Sequence, residues 1–137
     1  MGTRSDPPLV RMPLRVRYHE CDPQGIVFNA HYLAWADMAC FATLNTLFGS
    51  HQEVTGRGYD LVVAEATVRY LAPCRFDEEL VVEARTERLG RTSLTLRFTV
   101  LREEARVAEV LNRYVWVDTA SLRPALPPED LRAPFGS

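Results

Sequence analysis

Hydrophobic and polar positions alternate along most of this chain, and one long segment departs from that two-residue period. From Val10 to Cys21, Leu14, Val16 and Tyr18 fall on one side and Arg15, Arg17 and His19 on the other, which predicts a strand. Asp22-Pro23-Gln24-Gly25 is a turn signal, because aspartate and proline favour its first half and glycine tolerates positive φ. After Ile26-Val27-Phe28 and a candidate cap at Asn29, the period becomes helical as far as Phe48, and Gly49-Ser50 ends it. Leu33, Ala36, Cys40, Leu44 and Leu47 form one stripe, with Tyr32, Trp35, Ala39 and Ala42 as a second beside it. Only Asp37 breaks the middle. A helix apolar over so much of its circumference is covered by protein on most sides.

Beyond Gly56 and Gly58 the period returns to two. Val62, Ala64, Ala66, Val68 and Tyr70 oppose Glu65, Thr67 and Arg69 until Pro73 breaks the run. Leu80, Val82 and Ala84 begin a third strand that turns at Leu89-Gly90-Arg91, and Leu94, Leu96, Phe98 and Val100 mark a fourth. Glu103-Glu104 reads as a hairpin turn into Val107–Val117. One-sided alternation suits an antiparallel sheet with one covered face. The single helix has to supply that cover, so the expected class is α+β, a five-stranded antiparallel sheet wrapped around one long central helix. The expected domain is residues 14–118, with a flexible leader at 1–13 and a proline-rich, irregular tail at 119–137. The helix is more apolar than one sheet face needs, which points to a partner subunit.

Composition narrows the class of function. The 137 residues carry 16 basic and 18 acidic side chains, a net charge of −2, without the basic surplus of a nucleic-acid binder. No apolar run approaches the roughly 18 residues of a membrane span, and no basic leader precedes an apolar stretch as in a secretory signal. Cys21, Cys40 and Cys74 are odd in number and match neither a disulfide framework nor a zinc spacing, even with His19, His31 and His51. A reduced, cytoplasmic protein is expected, with no metal or redox cofactor.

Asp22 is the most informative polar residue. A carboxylate where a strand meets a turn can attack an electrophile or orient water. It can equally just cap its own turn. Asn29 reads as a plain helix cap. Asp37 interrupts its apolar helix, where an unpaired buried carboxylate costs several kcal/mol, so it must find donors or solvent in a structural or subunit-contact role. His19 and His31 read as solvated or hydrogen-bonded side chains. No histidine-backed thiol arrangement is legible at Cys21 or Cys74.

The segment Tyr18-His19-Glu20-Cys21-Asp22-Pro23-Gln24-Gly25-Ile26-Val27-Phe28-Asn29-Ala30-His31-Tyr32 resembles the N-terminal signature of the hotdog-fold acyl-CoA thioesterases. The likeness is to the subgroup of the hydroxybenzoyl-CoA and Tol-Pal-associated enzymes. Val68 to Leu80 is similar to that family's second block. The resemblance implies hydrolysis of an acyl-CoA to free acid and CoA, with Asp22 as the essential carboxylate. It also implies a backbone N–H that polarises the carbonyl, from the start of the helix or from the glycine segment at Gly56 and Gly58. Asn29 stands where the hydroxybenzoyl-CoA enzyme has a tyrosine, which argues against that aromatic substrate.

Gly58 and Asn29 join Asp22 as catalytic candidates, and Tyr32, Tyr59, Arg75, Arg88 and Arg91 are candidates for binding substrate. Arginine suits the CoA phosphates because its planar fork donates twice. The resemblance further implies a homo-oligomer, a dimer with sheets aligned edge to edge or a dimer of dimers forming a homotetramer. A dehydratase of the same fold and a non-catalytic acyl-binding module are the alternatives.

Overall fold

The computed structural model describes residues 7–136; the leader reading for residues 1–6 lies outside them. Five strands form a single antiparallel sheet: β1 (Val10–Arg15), β2 (Tyr59–Tyr70), β3 (Glu79–Leu89), β4 (Ser93–Arg102) and β5 (Ala105–Asp118). Their spatial order is β1-β3-β4-β5-β2, which leaves β1 and β2 at the edges. The alternation predicts this face correctly. Val82 sits opposite Val100, Ala84 opposite Phe98, and Phe98 opposite Val110, and all five are buried. Glu103 and Glu104 both take positive φ, 50° and 68°, as a two-residue hairpin between right-twisted strands requires.

The long helix α1 (His31–Phe48) lies on the apolar face of this sheet. Tyr32, Trp35, Ala36, Ala39, Cys40, Thr43 and Leu44 are its buried residues, spaced by three and four. Drawn from both expected stripes, they form one, and Leu33, Met38 and Phe41 stay exposed. Asn29 is not the cap: the helix starts one residue later, with Ala30 in that position and no side-chain hydrogen bond. A short helix, α2 (His51–Thr55), follows Gly49 and is capped by the Ser50 hydroxyl, which accepts the Glu53 N–H at 3.1 Å.

Three segments differ from their sequence reading. The first strand starts at Val10, within the expected leader, and ends at Arg15 rather than Cys21. Tyr18–Glu20 instead close a 3-10 turn, so Tyr18 is 78% exposed although Val16 is buried. In β2 the register slips between Val63 and Glu65, and most of its residues are exposed on both faces.

The tail expected to be irregular forms α3 (Glu129–Arg132) and a further 3-10 turn at Ala133–Phe135. Its prolines initiate these turns. Pro128 occupies the cap position of α3 and Pro134 the first turn of the next, where no backbone N–H is needed. Leu131 and Phe135 are buried, and the Phe135 ring meets Phe48 at 6.0 Å and Trp116 at 6.2 Å. Arg57 forks onto Asp130 at 2.6 and 3.0 Å, and Arg132 donates to the Gly90 carbonyl at 2.8 Å. The tail therefore closes the end of the helix–sheet layer where β2 begins and β3 ends. Phe135→Ala should lower the free energy of unfolding by about 3–5 kcal/mol, the cost of a large buried ring and its cavity, read from urea titrations.

Candidate active site

Asp22 lies at the opposite end of the layer, on a loop fastened at several points. Its N–H donates to the Ile26 carbonyl at 2.8 Å, and its own carbonyl accepts the Gly25 N–H at 2.9 Å. Gly25 takes φ +83°, open to glycine without strain. The carboxylate Oδ1 accepts the Gln24 N–H at 2.8 Å, so Asp22 does cap its turn, with its second oxygen left for other work. Single bridges pair Cys21 with Val27 and Ile26 with Arg75, and the Val27 N–H donates to Cys74 O at 2.8 Å.

A cavity of about 440 Å³ opens beside this loop, lined among others by Asp22, Phe28, Asn29, Tyr32, Tyr70 and Leu71. Asn29 is exposed and faces the cavity from the residues leading into α1. Its carbonyl accepts the Tyr70 hydroxyl at 3.1 Å. The His31 N–H is taken by Phe28 O, and the Tyr32 N–H reaches Asn29 O at 3.4 Å. No acceptor among the described residues meets the N–H of Asn29 or Ala30. Tyr32 is 3% exposed and forms the inner wall, its ring edge-on to Trp35 and Tyr70. Burial, with help from the Cys74 thiol beside it, pushes the Tyr32 phenol far up, so it stays protonated. Burial likewise raises the Cys74 thiol, and that is poor footing for a nucleophile.

Glu20, singled out by no sequence argument, anchors the loop. Its carboxylate is 2% exposed and accepts from Trp35 Nε1 at 2.9 Å, from Arg17 Nη2 at 2.9 Å and from the Arg17 N–H at 2.7 Å. Burial alone would raise this carboxyl, but those donors and the guanidinium charge outweigh it and hold the group at about 2. The available signal was a second acid two residues before Asp22, with the indole N–H of Trp35 15 residues after that acid, in the second turn of α1.

The other candidates separate by position. Arg75 pairs with Ile26 in an antiparallel bridge, so its side chain shares the face of Ile26, which lines the cavity. Gly58, Tyr59, Arg88 and Arg91 lie at the far end of the layer. β2 runs 12 residues from Tyr59 to Tyr70, so Gly58 and Tyr59 stand about 35 Å from the cavity along an extended strand. The Gly58 N–H is in any case committed to Thr55 O at 2.9 Å. Within one chain these four residues do not meet Asp22.

The guanidinium groups of Arg69, Arg75, Arg88 and Arg91 have no carboxylate partner among the described residues, while the Arg75 N–H donates to Glu78 Oε1 at 2.8 Å. Asp37 is on the exposed side of α1, outside the cavity, and its carboxyl is raised by desolvation. His19 is exposed, and His31 sits edge-on to Phe28. Among the described residues no group of histidine, cysteine and acidic side chains has a metal-binding arrangement, and no helix is long and apolar enough to cross a membrane.

One long helix against a five-stranded antiparallel sheet is the hotdog fold. The profile of the thioesterase superfamily matches residues 24–109, and the chain belongs to that superfamily. It is 32% identical over 130 residues to the acyl-CoA thioester hydrolase YbgC of Escherichia coli O6:H1, covering 93% of this chain and 96% of that protein. The solved structure of the gentisyl-coenzyme A thioesterase BH1999 superposes with a TM-score of 0.81 at 25% identity, over 92% of this chain and 98% of that one. A hypothetical protein from Aquifex aeolicus shares the fold, with a TM-score of 0.86 at 22% identity over 92% and 98% of the two chains.

A carboxyl held low on folding stabilises the protein above its unfolded range and loses that contribution as pH falls through the folded value. Wild type should therefore exceed Glu20→Gln in melting temperature at neutral pH. The gap should close as pH drops from about 4.5 towards 2, followed by circular dichroism.

Proposed function

We propose that this enzyme hydrolyses acyl-CoA thioesters to the free acid and CoA, with Asp22 carrying the hydrolytic step. The observation behind this reading is that Asp22 and Asn29 line one cavity, and that the Asn29 N–H has no acceptor among the described residues. A thioester carbonyl seated between them meets a base or nucleophile on one side. On the other it meets a fixed donor for the oxyanion, near the positive end of α1. Asn29 then acts through its backbone, which suits a residue whose side chain differs from the tyrosine of the hydroxybenzoyl-CoA enzyme.

Two routes fit. In one, the carboxylate takes a proton from water as the hydroxide adds to the carbonyl, and the C–S bond breaks to release CoA thiolate. In the other, a carboxylate oxygen bonds to the carbonyl carbon, the thiolate leaves, and water opens the resulting anhydride. Both end with acid and thiol.

Asp22→Asn keeps the shape and the Gln24 contact and removes the charge. Its kcat should fall by about 10²–10⁴ while KM moves less, measured by thiol release from short-chain, long-chain and aromatic acyl-CoAs. Full turnover by Asp22→Asn would overturn the assignment. If Asp37→Asn alone abolished turnover, the acid would lie on α1 instead.

The functional unit in this reading is at least a dimer. β2 is an edge strand with Val62 and Val63 exposed at 40% and 47%, and an open edge of 12 residues is a ready template for another chain. Two β2 strands paired antiparallel about a two-fold axis bring the Tyr59 end of one beside the Tyr70 end of the other. Gly58, Tyr59, Arg88 and Arg91 of the second copy then approach the Asp22 cavity, joining Arg75 of the first. This supports their roles in binding substrate, with the arginines serving the CoA phosphates.

Dimers pairing into a tetramer complete the proposal, and three free cysteines fit a cytoplasmic location. Analytical ultracentrifugation at micromolar protein should show at least twice the 15.6 kDa chain mass. A fully active 15.6 kDa species would overturn the shared site.

A further inference from the structure

A buried carboxylate is retained only where donors repay its desolvation. The donors of Glu20 come from two directions. Trp35 Nε1 arrives from the second turn of α1, and the Arg17 guanidinium and N–H from the end of the strand that leads into the loop. The backbone carbonyl of Glu20 makes a further tie, accepting the Phe28 N–H at 2.8 Å, one residue before Asn29. Glu20 thus touches both arms of the segment: two residues before Asp22 on one arm, and next to Asn29 on the other. Its side chain fastens that pair of arms to the helix. Pro23, Gln24 and Gly25 between them are exposed. The Asp22 N–H to Ile26 O bond and the Cys21–Val27 bridge join the two arms to each other, and Glu20 joins them to α1.

We propose that Glu20 is a positioning residue: through Trp35 and Arg17 it sets the separation between the Asp22 carboxylate and the Asn29 N–H. The inference rests on the reading of Asp22 and Asn29 as the reacting pair. A displacement of about 1 Å in such a pair is enough to cost about 10²-fold in rate. Trp35 is buried and Arg17 half-exposed at its side chain, so the tether can be cut from the helix without touching the loop sequence.

Four variants test this: Glu20→Gln, Trp35→Phe, Asp22→Asn and the double variant Glu20→Gln/Asp22→Asn, each checked for native circular dichroism and oligomeric state. Trp35→Phe keeps an aromatic ring in the core while removing the indole N–H together with part of the bicyclic ring, so it cuts the tether without touching Glu20 and carries the test if Glu20→Gln fails to fold. The expected result is a fall in kcat of about 10- to 100-fold for Glu20→Gln and for Trp35→Phe, with KM within about threefold. In the Asp22→Asn background, Glu20→Gln should add nothing, because a positioning residue acts through the group it positions.

Glu20→Gln lowers melting temperature in either case; a purely structural role would leave kcat per folded molecule intact in both the wild-type and the Asp22→Asn backgrounds. Folded Glu20→Gln and Trp35→Phe with wild-type kcat, or a double variant slower than Asp22→Asn by the full single-variant factor, would overturn the inference. Wild-type turnover by Asp22→Asn is the separate outcome in which the underlying reading of the site fails.

Discussion

A single helix has to bury the apolar face of a five-stranded sheet, and the rest of the molecule is arranged around that demand. Trp35, Ala36, Ala39 and Leu44 from α1 meet Leu80, Val82, Phe98, Val110 and Trp116 from three central strands, all nearly free of solvent. One helix of 18 residues is about 27 Å long and covers the middle of such a sheet, not its margins. At one end the C-terminal Leu131 and Phe135 fill the remaining gap over Trp116. Along most of the β2 margin no described residue does so, and the strand from Val62 to Thr67 stays exposed. The same shortage of cover explains the folded tail and the open edge.

The helix also fixes the site. Its buried stripe begins with Tyr32 and Trp35, and these two residues reach the loop before it: Tyr32 against Cys74, Trp35 onto Glu20. Loop, helix start and the segment Tyr70–Arg75 are thereby tied together around one cavity. Fold and site are not separable here, since the residues that seat the helix on the sheet also hold the acid-bearing turn. Family membership agrees with this arrangement, and the profile match begins at Gln24, within that turn.

Periodicity made the sheet legible because each central strand has one dry and one wet face, and Leu94, Leu96, Phe98 and Val100 report that directly. It failed where burial does not follow period. Tyr18 continues the alternation of Leu14 and Val16 yet points into solvent, because the Arg17–Glu20 hydrogen bonds turn the chain first. Prolines in the tail read as breakers, although Pro128 and Pro134 begin short helical turns that bury their neighbours.

Asp22 and Asn29 were readable from local sequence because a turn signal and a helix start are local events. Seven extended residues would reach about 24 Å, but the turn closed between Asp22 and Ile26 folds the segment back so that both residues line one cavity. No sequence argument marked Glu20, because its role depends on tertiary packing that brings Trp35 over it, a contact between residues 15 apart. Gly58, Tyr59, Arg88 and Arg91 show the converse: sequence supplies the residue types, but strand direction decides which end of the sheet they occupy. The chain by itself thus determined the five strands, the long helix and the turn at Asp22, since these follow from short-range backbone preferences. Only the tertiary structure decided what is buried, what is tethered and which candidates share a cavity, because those depend on contacts between residues that the sequence holds far apart.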